Sequence, residues 1–492
     1  MVFKIKQSPI VLSIVITLCA LQSTPSTYAK KTPLNYTVKK SSISQACFCD
    51  FCSEIRRDSN VKTYKLFPEN ECKNKKIKLN DSKRTIMIYM AADNNLRPFA
   101  ARNIQQMAHV GSNEYITILV HLDIRLAGNK KVTRRYLVEK EEVFHIDPLN
   151  LLTQHMDSGN PATLISFCEW AIKQYNAQTY DLILWNHGTG ILEPAHYKII
   201  NPMDLFVFNA VTNRFELDRS IGFMEAIEYM NTLRGVCWDD TTGNYLSNRK
   251  LETALKTICQ KCLHGNKFGI IGFDACLMSM TEIASFVKEY AHAMVASEEV
   301  ELGMGWKYDE VLLPFTHQAL ATVPFACHIV SAYNKTYQAI TNDYTLSAIN
   351  LDRFGLLEKN IDHVAQLLIQ GLTQQKNIFY ALIKDSRSKL SCTHFDEPTY
   401  IDLYHFYKNI GDKLTDTSYI APSIKKQLII ALNEGMNLIK EFVVANTCGK
   451  NLKNAHGISI YFPERSIHSS YQEALFLHSN AWSSLLNLYI FG

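Results

Sequence analysis

Two short segments hold the residues best suited to nucleophilic chemistry: Asn186-His187-Gly188-Thr189-Gly190 and Asp274-Ala275-Cys276. A thiolate, not a thiol, attacks a carbonyl carbon, and a free cysteine with a pKa of about 8.5 is mostly protonated at neutral pH. An imidazole within reach can take that proton and later hand it to a leaving amine. His187 is therefore the candidate base and Cys276 the candidate nucleophile. The backbone N–H groups of Gly188 and Cys276 are candidate donors to a developing oxyanion, and glycine at 188 lets the backbone come close to a substrate. A helix expected to start near Leu277 would place its positive end beside the sulfur. Taken singly, each residue has a plainer reading. Cys276 could be a small buried residue at a helix start, and His187 a turn residue capping a strand.

What joins them is the pattern of elements around them. The runs TIMIYMA (85–91), YITILVHL (115–122), YDLILW (180–185) and FGIIGF (268–273) are continuously apolar, as in strands covered on both faces of a parallel sheet. Between them, Leu164, Phe167, Cys168, Ala171, Ile172 and Tyr175 recur at helical spacing, as do Met280, Ile283, Val287, Tyr290 and Met294. Strand and helix alternate, so the class is α/β, a mostly parallel sheet flanked by helices. Ligands of such sheets bind beyond the carboxyl ends of the strands. YDLILW runs into His187 and FGIIGF into Cys276, so both belong to one sheet edge. The first strand ends in Asp93, Asn94 and Asn95, which line the same rim.

The chain has 492 residues, more than one compact core takes, and divides into four parts. Residues 1–29 have the layout of a secretory signal: Lys4 and Lys6, an apolar run from Pro9 to Leu21, and cleavage expected after Ala29. The run is short for a membrane span, so a secreted or periplasmic protein with no span after signal removal is expected. Residues 30–83 form a leader or pro-segment with Cys47, Cys49, Cys52 and Cys72, read as local disulfides rather than a zinc site. Residues 84–345 carry the α/β pattern, and 346–492 are helix-rich with one strand-like piece, HGISIYFPE (456–464). Within the α/β part, 191–265 is a long excursion: a helix (223–233), a polar turn (239–248) and another helix (250–262). Such an insertion between buried strands is usually functional. Of 13 cysteines, Cys19 leaves with the signal and Cys276 is reserved; the remaining 11 are odd, so at least one more thiol stays unpaired within the chain. Cys259, Cys262 and His264 are read as a helix end rather than a metal site. A net charge of +4 with scattered Lys and Arg gives no reason to expect nucleic acid.

The segments IMIYMAADNNL, LILWNHGTG, GFDACLMSM and ASEEVELGMGW resemble clostripain-family cysteine peptidases, a branch of the caspase-like clan. YIDLYHF (400–406) and GISIYFP (457–463) resemble that family's C-terminal portion. The resemblance implies a caspase-like fold, a His187/Cys276 dyad with no required third residue, and protein or peptide substrates; a monomer is expected. It also implies Asp274 at the floor of the S1 pocket, hence cleavage after Arg or Lys, because an acidic floor pairs with a cationic side chain. Met304, between Gly303 and Gly305, stands where some relatives carry a second acid, leaving Glu298, Glu299 or Glu301 to supply it. Self-cleavage is expected within 191–265, which contains Lys198, Arg214, Arg219, Arg234 and Arg249. No cofactor is required; calcium at Asp239-Asp240 is optional, a solvated turn being the commoner reading. No G-x-S-x-G elbow, H-E-x-x-H helix or phosphate-binding loop is found. The rival is a catalytically silent caspase-like binding or surface interaction protein, against which intact Cys276, His187 and Asp274 speak.

Overall fold

The apolar run at 85–91 forms the core of strand β1 (Ser82–Ala92), and its side chains are buried on both faces of a sheet. The structure, a computed structural model, describes residues 82–125, 131–145, 156–193, 205–219, 235–416, 420–473 and 480–492. Strands and helices are numbered in chain order within these residues. β1 pairs in parallel with β2 (Ile116–Arg125) on one side and β5 (Ala177–Trp185) on the other. β10 (Phe268–Asp274) continues the parallel block beyond β5, and β11 (Ala291–Ala296) follows it. β3 (Lys131–Glu139) and β4 (Glu142–His145) add an antiparallel hairpin at one edge. β12 (Thr345–Asn350) and β14 (Val443–Cys448) add antiparallel strands at the other. The nine-stranded order is β14-β12-β11-β10-β5-β1-β2-β3-β4. Three small pairs stand apart: β6 (Phe206–Asn209) with β7 (Arg214–Leu217), β8 (Val236–Asp239) with β9 (Asn244–Leu246), and β13 (Tyr400–Asp402) with β15 (Ser459–Tyr461). The strand-like piece at 456–464 forms β15, which ends two residues before Pro463.

Helices cover the sheet because nothing else could bury strands that are apolar all round. One packed series is α1 (Arg97–Val110), α5 (Tyr308–Leu312) and α6 (Thr322–Tyr337); another is α2 (Pro161–Gln174), α3 (Asn248–Lys261) and α4 (Thr281–Val287). Asn160 caps α2 by accepting from the Ala162 N–H, with Pro161 at the first turn, and Ser247 caps α3 through the Lys250 N–H. The C-terminal part is helix-rich: α7 (Gly355–Gln374) packs on α10 (Pro422–Phe442) and α11 (Trp482–Phe491), while α8 (Lys376–Arg387) packs on α9 (Leu403–Asp416).

The four apolar runs are strands, and the α/β class with a mostly parallel sheet holds. Two local expectations fail. The helix after Cys276 begins at Thr281, not near Leu277, because Leu277 takes a left-handed φ of 62° that no helix can include. The helical spacing from Met280 does not persist to Met294 either: α4 ends at Val287 and Met294 lies in β11. A short apolar stretch buried on both faces reads alike as helix or strand. The predicted helix at 250–262 is α3, and the polar turn at 239–248 contains the β8–β9 connection. The signal segment, nearly all of 30–83 with its four cysteines, and the helix expected at 223–233 lie outside the described residues. Among the described residues no helix is long and apolar enough to cross a membrane.

A buried charge cluster fixes the rim of the sheet beside the end of β1. The Lys131 ammonium lies 3.0 Å from Asp123 and 3.7 Å from Asp93 and bonds Asp239, and all four side chains are buried. Arg125 bonds Asp93 at 2.9 Å and Asp240 at 3.1 Å, so both acids proposed for calcium already carry a protein cation. Burial pushes the Asp123 carboxyl up to about 7, against the pull of Lys131. Burial alone would lower the Lys131 ammonium, but its carboxylate neighbours more than offset that and raise it. Removing one partner of a buried ion cluster leaves uncompensated charge. Lys131→Met is expected to lower folding stability by about 3–5 kcal/mol, read as the shift in denaturant midpoint at constant slope. A change within a few tenths would contradict it.

Candidate active site

β5 and β10 are neighbours, and their register pairs Trp185 with Asp274. His187 and Cys276 therefore each sit two residues beyond a matched pair, on the same edge. The Asn186 N–H donates to the Asp274 carbonyl at 3.2 Å, which carries the pairing past the strands. A Cβ on Gly188 would lie 2.4 Å from the Cys276 carbonyl oxygen. Glycine at 188 is thus what lets the two loops touch. The loop contact, inferred from strand ends alone, is present.

Both side chains line one small cavity, with Trp185, Asp274, Glu301 and Leu205 also on its wall. Cys276 is 7% exposed, and its sulfur accepts the Glu301 N–H at 3.2 Å. Burial pushes this thiol well up, and the nearby Glu301, Asp396 and Glu299 charges add to the effect. The helix end invoked to lower it is too far along the chain to do so. In place of a helix start, Leu277 turns sharply, its N–H bonded to the Glu299 carbonyl at 3.2 Å. The His187 Nε2 lies 2.7 Å from the Asn95 side-chain oxygen, on the loop between β1 and α1.

Asp274 is buried beneath the cavity. Its Oδ1 accepts the Trp306 N–H at 3.0 Å and its Oδ2 the Tyr308 hydroxyl at 2.9 Å. Gly305, at φ 60°, passes so near that a Cβ would fall 2.7 Å from Asp274 Oδ1; here only glycine fits. Of the three nearby glutamates, the folded chain brings one to the cavity. Glu298 accepts the Gly457 N–H and Glu299 is paired with Arg219 at 2.9 Å, whereas Glu301 lines the cavity. Among the described residues, no N–H or O–H reaches the Glu301 carboxyl oxygens, whose polar neighbour is the Asp274 carboxyl. Two buried acids facing each other share a proton. Burial raises both, Asp274 to about 7, and Asp274's charge pushes Glu301 further. Met304, in contrast, meets Arg102 at 3.6 Å through its sulfur.

Sequence reasoning missed several members of the site. Tyr308 gives no motif, yet it donates to Asp274. Tyr400, in the YIDLYHF segment, donates to the Thr189 carbonyl at 2.6 Å and accepts the Leu192 N–H at 3.0 Å, holding the loop after His187. The GISIYFP segment does the same for the other loop: the Ser459 N–H bonds the Ser279 carbonyl at 2.9 Å. Leu205, from the excursion, also lines the cavity. Its volume of about 20 Å³ holds little more than one water. All eight cysteines among the described residues are free thiols, and no His, Cys, Asp or Glu cluster there could hold a metal ion.

Comparison with known proteins agrees with this architecture. The structure is similar to a secreted C11 cysteine protease from Bacteroides thetaiotaomicron bound to an irreversible peptide inhibitor, with a TM-score of 0.53 and 18% identity, covering 82% of this chain and 99% of that one. An inactive zymogen C11 protease from Parabacteroides distasonis is similar at a TM-score of 0.51 and 15% identity, covering 82% and 98%. At these identities the likeness concerns the fold. Clostripain from Hathewaya histolytica is 25% identical over 278 residues, 52% of this chain and 45% of that protein, so the match spans less than half of that relative. The model of the clostripain family, peptidase C11, matches residues 88–202 and 223–488. The chain belongs to the clostripain family.

Proposed function

We propose that this protein is a cysteine endopeptidase that cuts after Arg or Lys, with Cys276 as nucleophile and His187 as base. The observation that carries the reading is the touching of the two loops beyond β5 and β10, with a buried acid pair below the sulfur. His187 takes the thiol proton, and the sulfur attacks the carbonyl carbon of the scissile bond. The backbone N–H groups of Gly188 and Cys276 stabilise the oxyanion, and the imidazole returns the proton to the leaving amine. Water then hydrolyses the thioester. Asp274 and Glu301 together receive the cationic P1 side chain, which supplies the positive charge those carboxyls lack. No cofactor enters these steps, and calcium remains optional. Secretion after cleavage at Ala29 completes the reading, in keeping with the secreted relative described above. Fluorogenic peptides ending in Arg, Lys, Leu and Asp test it: Arg and Lys are expected to be cut and the others not. Equal rates on all four would contradict it.

The uncut chain is proposed to be a zymogen. The cavity as it stands leaves little room for an arginine side chain, and Leu205 on its wall belongs to 191–265. A protease needs an extended, reachable segment. Arg214 lies in the β7 strand, Arg249 lies within α3, and the Arg219 side chain is bound to Glu299 and Asp343; Lys198 and Arg234 lie outside the described residues. After the cut, β5 and β10 fall in different pieces yet stay paired within the sheet. Denaturing gels are expected to show two fragments from the wild type and one band from Cys276→Ala. An active wild type that never splits would end the zymogen reading.

A further inference from the structure

We propose that Asn95 is a positioning residue for His187, fixing which ring nitrogen works on the sulfur; the proposal rests on the peptidase reading above. Nε2 is 2.7 Å from Asn95 Oδ1. An amide oxygen has only lone pairs, so the ring nitrogen facing it carries the hydrogen. In the neutral imidazole the other nitrogen, Nδ1, is then the one without hydrogen, and it becomes the proton acceptor.

Asn95 is well held for this task. Its predecessor, Asn94, donates to the Ala91 and Trp238 carbonyls, both at 3.0 Å, and accepts the Leu96 N–H at 2.9 Å. The Arg97 N–H bonds the Asn94 carbonyl at 3.2 Å, where α1 begins. Asn186, next to His187, in turn accepts the Trp238 N–H at 3.0 Å. Trp238 thus joins the loops bearing Asn95 and His187, and the Lys131 cluster ties the residues just after it, Asp239 and Asp240, to Asp93. The distance between Asn95 and the imidazole is set by this frame rather than by one flexible contact.

The proton path follows. The hydrogen on Sγ moves to Nδ1 as sulfur bonds the carbonyl carbon and the π pair moves onto oxygen. Collapse breaks the C–N bond, the Nδ1 hydrogen goes to the departing amine, and a thioester and neutral imidazole remain. The Nε2 hydrogen stays on the ring, donated to Asn95 Oδ1, throughout. A neutral amide orients the ring without adding charge; a carboxylate there would favour imidazolium.

The test combines a spectroscopic measurement with two variants. In wild-type protein labelled with ¹⁵N-histidine, neutral His187 is expected to carry its hydrogen on Nε2. Asn95→Ala is expected to lower kcat on an Arg-ended peptide by about tenfold to a hundredfold with KM nearly unchanged. Asn95→Asp should recover part of kcat and move the acid limb of the rate profile, where the imidazole must lose its proton to act as base, up by about one pH unit or more. A hydrogen on Nδ1 in the wild type, variants matching wild type in kcat and pH profile, or a loss carried by KM alone would each overturn the proposal. The tautomer is read without turnover, so its failure is separable from failure of the peptidase reading, which activity in Cys276→Ala would reveal.

Discussion

Cys276→Ala is expected to abolish peptide hydrolysis, with a loss on the order of 10⁴-fold or more, the scale on which removal of a nucleophile acts. No other described thiol can take its place. The cavity that His187 lines contains no second cysteine, and burial pushes the thiols of Cys168, Cys237 and Cys392 well up. Such thiols are poor nucleophiles at neutral pH. Cys276 itself is buried and raised in the single-chain form, so the measurement belongs on protein that has been given time to cut itself. Initial rates on an Arg-ended fluorogenic peptide, wild type beside variant at equal concentration, check the prediction. A variant retaining a tenth of the rate would show that the sulfur is not the attacking atom.

Asp274→Asn carries the second large effect. Its carboxyl forms the floor of the cavity, fixed by Trp306 and Tyr308, with Glu301 beside it. Loss of one partner of a buried charge pair costs roughly 2–5 kcal/mol. The value of kcat/KM on an Arg-ended peptide should therefore fall by about 30- to 5,000-fold, while a Leu-ended peptide loses little. The acid pair also gives a pH dependence of defined sign. Burial holds Asp274 near 7 and raises Glu301, so below that pH the pair keeps extra protons and opposes a guanidinium poorly. For the wild type, kcat/KM on the Arg substrate is expected to rise as pH passes through about 7; Asp274→Asn should lose or displace that limb. Equal losses on Arg and Leu substrates would mean that Asp274 supports the fold of the site without reading P1.

The parts of this site that the sequence announced are those fixed by burial. YDLILW and FGIIGF are apolar on both faces because helices cover both, and the carboxyl-edge rule then put His187 and Cys276 together. The polar end of β1 was visible as Asp93, Asn94 and Asn95, although nothing in a run of three polar residues tells which one meets the imidazole. What stayed hidden depends on side-chain direction and on unusual backbone. Glu298, Glu299 and Glu301 are equivalent as letters; only the turn after β11 sends the third to Asp274 and gives the second to Arg219. The left-handed Leu277 cannot be read from an apolar run, and it moved the start of α4 by four residues. Tyr400 lies 213 positions beyond His187, a pairing that exists only once β13 has packed beneath the loop.

An Arg chloromethyl ketone, a covalent thiol reagent with a cationic P1 group, tests the central claim most directly. It should add one label per chain, on the peptide that contains Cys276, and block hydrolysis in proportion. A label on another cysteine, or full activity with Cys276 unmodified, would contradict the account.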